Sequence, residues 1–187
     1  DPIWRVHEDA AMFPGGVAAL VLQSLHPLAM AGVAGHSGYR GDPWGRLQRT
    51  SNYIALTTYG TIPDAEATIG VVRGVHERVR GKDHRGRPYR ASDPHLLGWI
   101  HAAEIFSFLA AYRAFGARPL SDADADTYVA QASLPATKLG VIDAPQSVAG
   151  LDATLASYRD ELELSPAAAD TIEFLLQTPP LPGGARP

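Results

Sequence analysis

The stretch DPHLLGWIHAAEIFSFLAAY, Asp93–Tyr112, decides how this chain folds. Asp93 before Pro94 is a helix start, a capping carboxylate followed by a proline whose missing N–H costs nothing in the first turn. At about 3.6 residues per turn, Leu97, Ile105 and Phe108 share a face with His101. That face is apolar, so a helix over 94–115 should bury it and carry the imidazole inside.

Working outward, the same start signal recurs at Asp1-Pro2, Asp42-Pro43, Pro63-Asp64 and Ser165-Pro166. The predicted helices run 2–12, 16–35, 43–59, 63–80, 94–115, 121–139, 147–162 and 166–177. No run alternates at the β period over a useful length, so the fold class is all-α. Lys82–Ser92 (KDHRGRPYRAS) reads as a charged loop and Gly140–Gln146 as a second break. One helical domain over 1–178 is expected, followed by a Pro/Gly-rich tail, 179–187, with little order of its own.

The predicted helix 16–35 is the apolar centre of that domain. Between Ala10 and Tyr39 no side chain is charged when histidines are neutral, and AALVLQSLHPLAMAGVAG approaches the length of a bilayer span. Pro14, Gly15 and Gly16 break its start, His26-Pro27 interrupts it, and Gln23 and Ser24 are polar. A buried helix in a cytoplasmic protein is the favoured reading, and a membrane-embedded or interfacial one the alternative.

The 187 residues suffice for one full core, and 45% hydrophobic against 19% charged residues describes a globular chain. The net charge of −4 argues against nucleic acid as a partner. Arginines cluster between Arg40 and Arg90, which suits the few anionic groups of a small ligand. There are no cysteines, which excludes disulfides, thiolate metal sites, iron–sulfur clusters and a cysteine nucleophile. Any cofactor must be held by histidine, carboxylate or arginine.

Three constellations could do that. In GVVRGVHERVRG, Gly70–Gly81, a continuous helix sets Val72 and Val79 about 40–60° to one side of His76, with Arg73 and Arg80 about 40–60° to the other. An imidazole between an apolar strip and two arginines suits a flat ligand carrying a metal and edge carboxylates, a description of haem b. The alternative is a core histidine flanked by arginines reaching to water. In DPWGRLQRTSNY, Asp42–Tyr53, the residues Arg46, Arg49, Thr50 and Tyr53 lie at i, i+3, i+4 and i+7 and form one polar stripe, able to polarise bound oxygen or hold an anion, or simply solvated. His101 is a rival axial ligand, with Glu104 one turn on; His26 and His36 are candidates for the same cavity. His7, His84 and His95 read as surface or loop residues. Glu-x-x-His pairs, His-Glu-x-x-His, Gly-x-Ser-x-Gly, a phosphate-binding loop and a dinucleotide fingerprint are all absent.

GGVAALVLQSLHPLAMAGVAGHS, GRLQRT, VVRGVHERVRG, YRASDPHLLGWIHA and AYRAFG resemble, in order and spacing over about residues 1–140, the MpaB-type oxygenase family, whose catalytic domain is shared with the rubber oxygenase called latex-clearing protein. The resemblance implies an all-helical b-type haem protein that uses dioxygen on a small apolar substrate, isoprenoid or lipid-like. Its proximal histidine has arginines at −3 and +4, which implies His76 as iron ligand and Arg73 and Arg80 as partners of the propionates. Its distal helix implies Arg46, Arg49 and Thr50 on the oxygen side. Two departures stand out. Arg49 replaces a lysine, and Ala10–Tyr39 lacks the glutamate that rubber-cleaving members use as a base. A helical protein that binds haem or lipid without turnover is the alternative function.

Overall fold

A computed structural model describes residues 1–36 and 43–177. Asp42 and the tail 179–187 lie outside the described residues. The described chain is helical throughout apart from one small hairpin. Its elements are α1 (Pro2–His7), α2 (Met12–Ser24), α3 (Pro27–His36), α4 (Pro43–Tyr59), α5 (Ile62–His76), β1 (Arg80–Lys82), β2 (Pro88–Arg90), α6 (Pro94–Phe115), α7 (Asp122–Leu139), α8 (Val148–Ser157), a 3-10 turn at Arg159–Glu161, and α9 (Pro166–Gln177).

The central element is α6. Its cap forms as expected, the Asp93 side chain accepting the His95 amide at 2.9 Å. Ala102, Ile105, Leu109 and Tyr112 join Tyr128 and Val129 of α7 and Leu151 of α8 in the main core. The apolar stretch of 16–35 is therefore not the central helix; it is a bent pair that packs along α6. Gly15 sets the closeness of that crossing, because a Cβ there would lie 3.1 Å from both Ala111 Cβ and Phe108 Cδ1. Gly15→Val is expected to destabilise the fold by about 1–3 kcal/mol, the cost of overpacking a tight contact. Equal urea midpoints for variant and wild type would sink that expectation.

The bend between α2 and α3 is 109°. Pro27 has no N–H to continue the ladder of α2, and its ring disfavours helical backbone at His26. The carbonyls released there are recovered: Trp99 Nε1 donates to Gln23 O at 3.1 Å and the Glu163 amide to Leu25 O at 2.8 Å. Among the described residues no single helix is long and apolar enough to cross a membrane, although α2 and α3 together would pass by length and composition.

Four other expectations change. Helix 2–12 stops at His7, and helix 147–162 is α8 followed by the 3-10 turn. Helix 63–80 ends at His76, because Val79 O accepts the Ala91 amide at 2.9 Å and its residue already belongs to the base of a hairpin. That hairpin occupies most of the segment read as a charged loop. It pairs Arg80 with Arg90, Gly81 with Tyr89 and Lys82 with Pro88. Asp83 closes it by accepting the amides of Arg85 (3.0 Å) and Arg87 (2.8 Å) and the Arg87 Nε (2.7 Å). Tyr89, buried, lies over Gly81, where a Cβ would come 2.6 Å from its hydroxyl, and under Gly32 and Gly35 of α3.

Candidate functional site

The helices enclose a cavity of about 480 Å³, within the range of ordinary small-molecule sites. The polar stripe of α4 faces it whole: Arg46, Arg49, Thr50 and Tyr53 all line the wall. Arg46 is half-buried, whereas Arg49 and Thr50 are exposed, so these two stand where the cavity meets water. His76 enters from the end of α5, and His101 and Glu104 from α6. Leu28, Ile54, Ile105 and Phe108 supply apolar wall.

The two candidate ligands share an unusual condition. His76 Nδ1 and His101 Nε2 are buried and have no hydrogen-bond partner among the described residues. A buried ring nitrogen left without a partner costs about 1–3 kcal/mol, so such a position calls for an explanation. Burial also pushes both imidazoles toward the neutral form, His101 to about 4. Neutral imidazole is the form that coordinates a metal.

Glu104 is the acidic group of the cavity. Burial pushes its carboxyl up to about 7, and no ion pair to it forms among the described residues. Its charge raises the neighbouring hydroxyls of Tyr53 and Tyr128 further, after burial has already raised both. His7 also lines the cavity rather than the surface, its Nδ1 2.9 Å from Thr58 Oγ1 and its Nε2 3.4 Å from the Tyr128 hydroxyl. Burial lowers it to about 4.

Other histidines and arginines are placed differently. His36 lines the cavity, but His26 is buried elsewhere against Glu161. Arg73 and Arg80 are not brought to the wall. Arg73 is exposed on α5 and donates to the Lys138 carbonyl at 3.4 Å, and Arg80, beyond the helix end, is exposed on β1. Sequence reasoning missed His7, whose only signal was Ile3 one turn earlier on the same short helix. It registered Glu104 merely as a neighbour of His101.

The donor set is coherent: two neutral imidazoles, each with a buried nitrogen that has no partner among the described residues, two arginines and a hydroxyl along the wall, and a carboxyl that burial holds part-protonated. These groups fit a haem, with imidazole for the iron and guanidinium for anionic edges.

The family model described as "ER-bound oxygenase mpaB/B'/Rubber oxygenase, catalytic domain" matches residues 4–187. An uncharacterized protein of Mycobacterium bovis (strain ATCC BAA-935 / AF2122/97) is 33% identical over 99 residues, 53% of this chain and 38% of the relative. An uncharacterized protein of Mycobacterium tuberculosis (strain ATCC 25618 / H37Rv) matches with the same identity and coverage. The aligned part thus spans well under half the length of these curated relatives. No solved structure matches the chain.

Proposed function

The chain belongs to the family of ER-bound oxygenase mpaB/B' and rubber oxygenase catalytic domains, and from that premise we propose that it is a haem-b-dependent oxygenase acting on a small apolar substrate. The observation that carries the haem is the pair of buried nitrogens without partners, His76 Nδ1 and His101 Nε2, on rings that line one cavity. His76 would hold the haem iron through its imidazole, and His101 is the rival ligand. Haem bound there would supply the iron that activates dioxygen.

The chain's own residues do the rest. Arg46 and Arg49 present guanidinium donors to anionic or oxygen atoms at the cavity wall, and Thr50 adds a hydroxyl. Because they line the cavity, these arginines take the anion-pairing role that spacing alone suggested for Arg73 and Arg80. Leu28, Ile54 and Phe108 favour an isoprenoid or lipid-like substrate and exclude water. Glu104 supplies, from α6, a carboxyl that Ala10–Tyr39 lacks, and with part of its population protonated near neutrality it can hold or release a proton within the cavity. This favours turnover over passive binding.

Reconstitution with haemin tests the reading. Pyridine haemochrome quantitation should give about one haem b per chain, and dioxygen consumption should rise when an isoprenoid substrate and a reductant are added. A folded protein that takes up no haem would overturn the proposal; haem uptake without oxygen consumption on any apolar substrate would leave a haem-binding protein.

A further inference from the structure

Outside the cavity, one cluster gathers side chains from three separate parts of the fold. His26 stands at the α2–α3 corner, His95 in the first turn of α6, and Glu161 in the 3-10 turn after α8. His26 Nε2 lies 3.2 Å from Glu161 Oε2, and His95 Nε2 lies 2.9 Å from both carboxylate oxygens. The three ligand atoms all fall within 4.8 Å of one another. We propose that His26 Nε2, His95 Nε2 and the Glu161 carboxylate form a second metal site, for zinc or a similar divalent transition ion, independent of the haem cavity.

Geometry supports this first. Two ligands each 2.0–2.1 Å from one tetrahedral ion must be about 3.3 Å apart; the two His–Glu separations of 3.2 and 2.9 Å come close to that, and all three ligand atoms lie within 4.8 Å of one another. Two imidazoles and one carboxylate are a complete protein set for a zinc ion that keeps an open fourth position. A cavity of about 270 Å³ opens beside His95, bounded by Gly98, Asp143 and Tyr158.

The surroundings hold the ligands in place. His26 is 1% exposed, so its ring has one environment. His95 lies against Tyr158 with ring centroids 4.6 Å apart, and the Tyr158 hydroxyl donates to His95 O at 2.7 Å. Ligation through Nε2 would place the ring proton on Nδ1 and give up the 3.5 Å approach of the Ala29 amide, which is at the outer edge of hydrogen bonding.

The ion would tie the corner of the apolar helix pair to the end of α8. Its test is titration of the untagged protein with zinc chloride by calorimetry, in haem-loaded and haem-free form alike, and of the haem-free form with cobalt(II) by visible absorption. The expected result is one ion per chain, a cobalt spectrum of tetrahedral intensity, and affinity weakened at least roughly tenfold by His95→Ala and by Glu161→Gln. Haem content should be unchanged in His95→Ala, which separates this site from the proposed oxygenase cavity. No binding, or binding that both variants retain in full with native circular dichroism, would overturn the site.

Discussion

His76→Ala is expected to lower haem retention more than tenfold with the helical circular dichroism intact, whereas His101→Ala should keep most of its haem. His76 is the last residue of α5, so the backbone beyond it turns away and its ring reaches the cavity from a helix end. His101 lies in the middle of α6, the most buried helix, next to Ala102 of the main core. Removing an axial ligand loses the metal–nitrogen bond outright, a larger effect than the roughly 10–100-fold typical of outer-shell partners. Truncating His101 mainly enlarges an apolar-walled cavity and relieves its buried nitrogen of a missing partner. The readout is Soret absorbance with haemochrome quantitation on both variants after identical reconstitution. Loss in His101→Ala and retention in His76→Ala would exchange the two assignments. Retention in both would remove haem from this cavity.

How much of this was legible in the sequence depends on how far each feature reaches along the chain. The bounds of α4, α6 and α9 agree with expectation to the residue, because a proline in the first turn marks each start locally. The stripe of Arg46, Arg49, Thr50 and Tyr53 is likewise local, a matter of helical spacing, and it faces the cavity as one unit. What failed was settled by partners distant in sequence. The end of α5 follows from Val79 O being engaged by Ala91, and the bend at Pro27 is held by Trp99 and Glu163. The hairpin is three residues per strand, too short for an alternation signal, and the one buried side chain of its strands is Tyr89. Arg80 drops off the expected helix for that reason. His7 and Glu104 join the site only because α1 and α6 converge on it, which no spacing within either helix reveals.

Glu104 gives the second large expectation, that Glu104→Gln stabilises the protein at alkaline pH but not at acid pH. The carboxyl ionises near 4.5 when free and at about 7 in the fold, burial being the cause. Between those values the unfolded chain has released the proton that the folded chain still holds, so stability falls as pH rises through this window. Above the folded value the charge is imposed on an apolar wall, and the accumulated penalty has a ceiling of about 3 kcal/mol, reduced by whatever water the cavity admits. Glutamine has nearly the same shape and cannot ionise, so the variant should escape the penalty. The histidines act in the opposite direction over an overlapping window. His7 and His101 sit at about 4 in the fold, and their contribution is lost as pH falls from 6.5 toward 4 in wild type and variant alike. The difference between the two proteins therefore isolates Glu104. Urea unfolding at pH 5 and pH 8, with haem loading matched, should show near-equal stabilities at the lower pH and a gain of about 1–3 kcal/mol for the variant at the higher. A constant difference at both values would mean that the carboxyl ionises normally, and its proposed role in holding a proton within the cavity would fall with it.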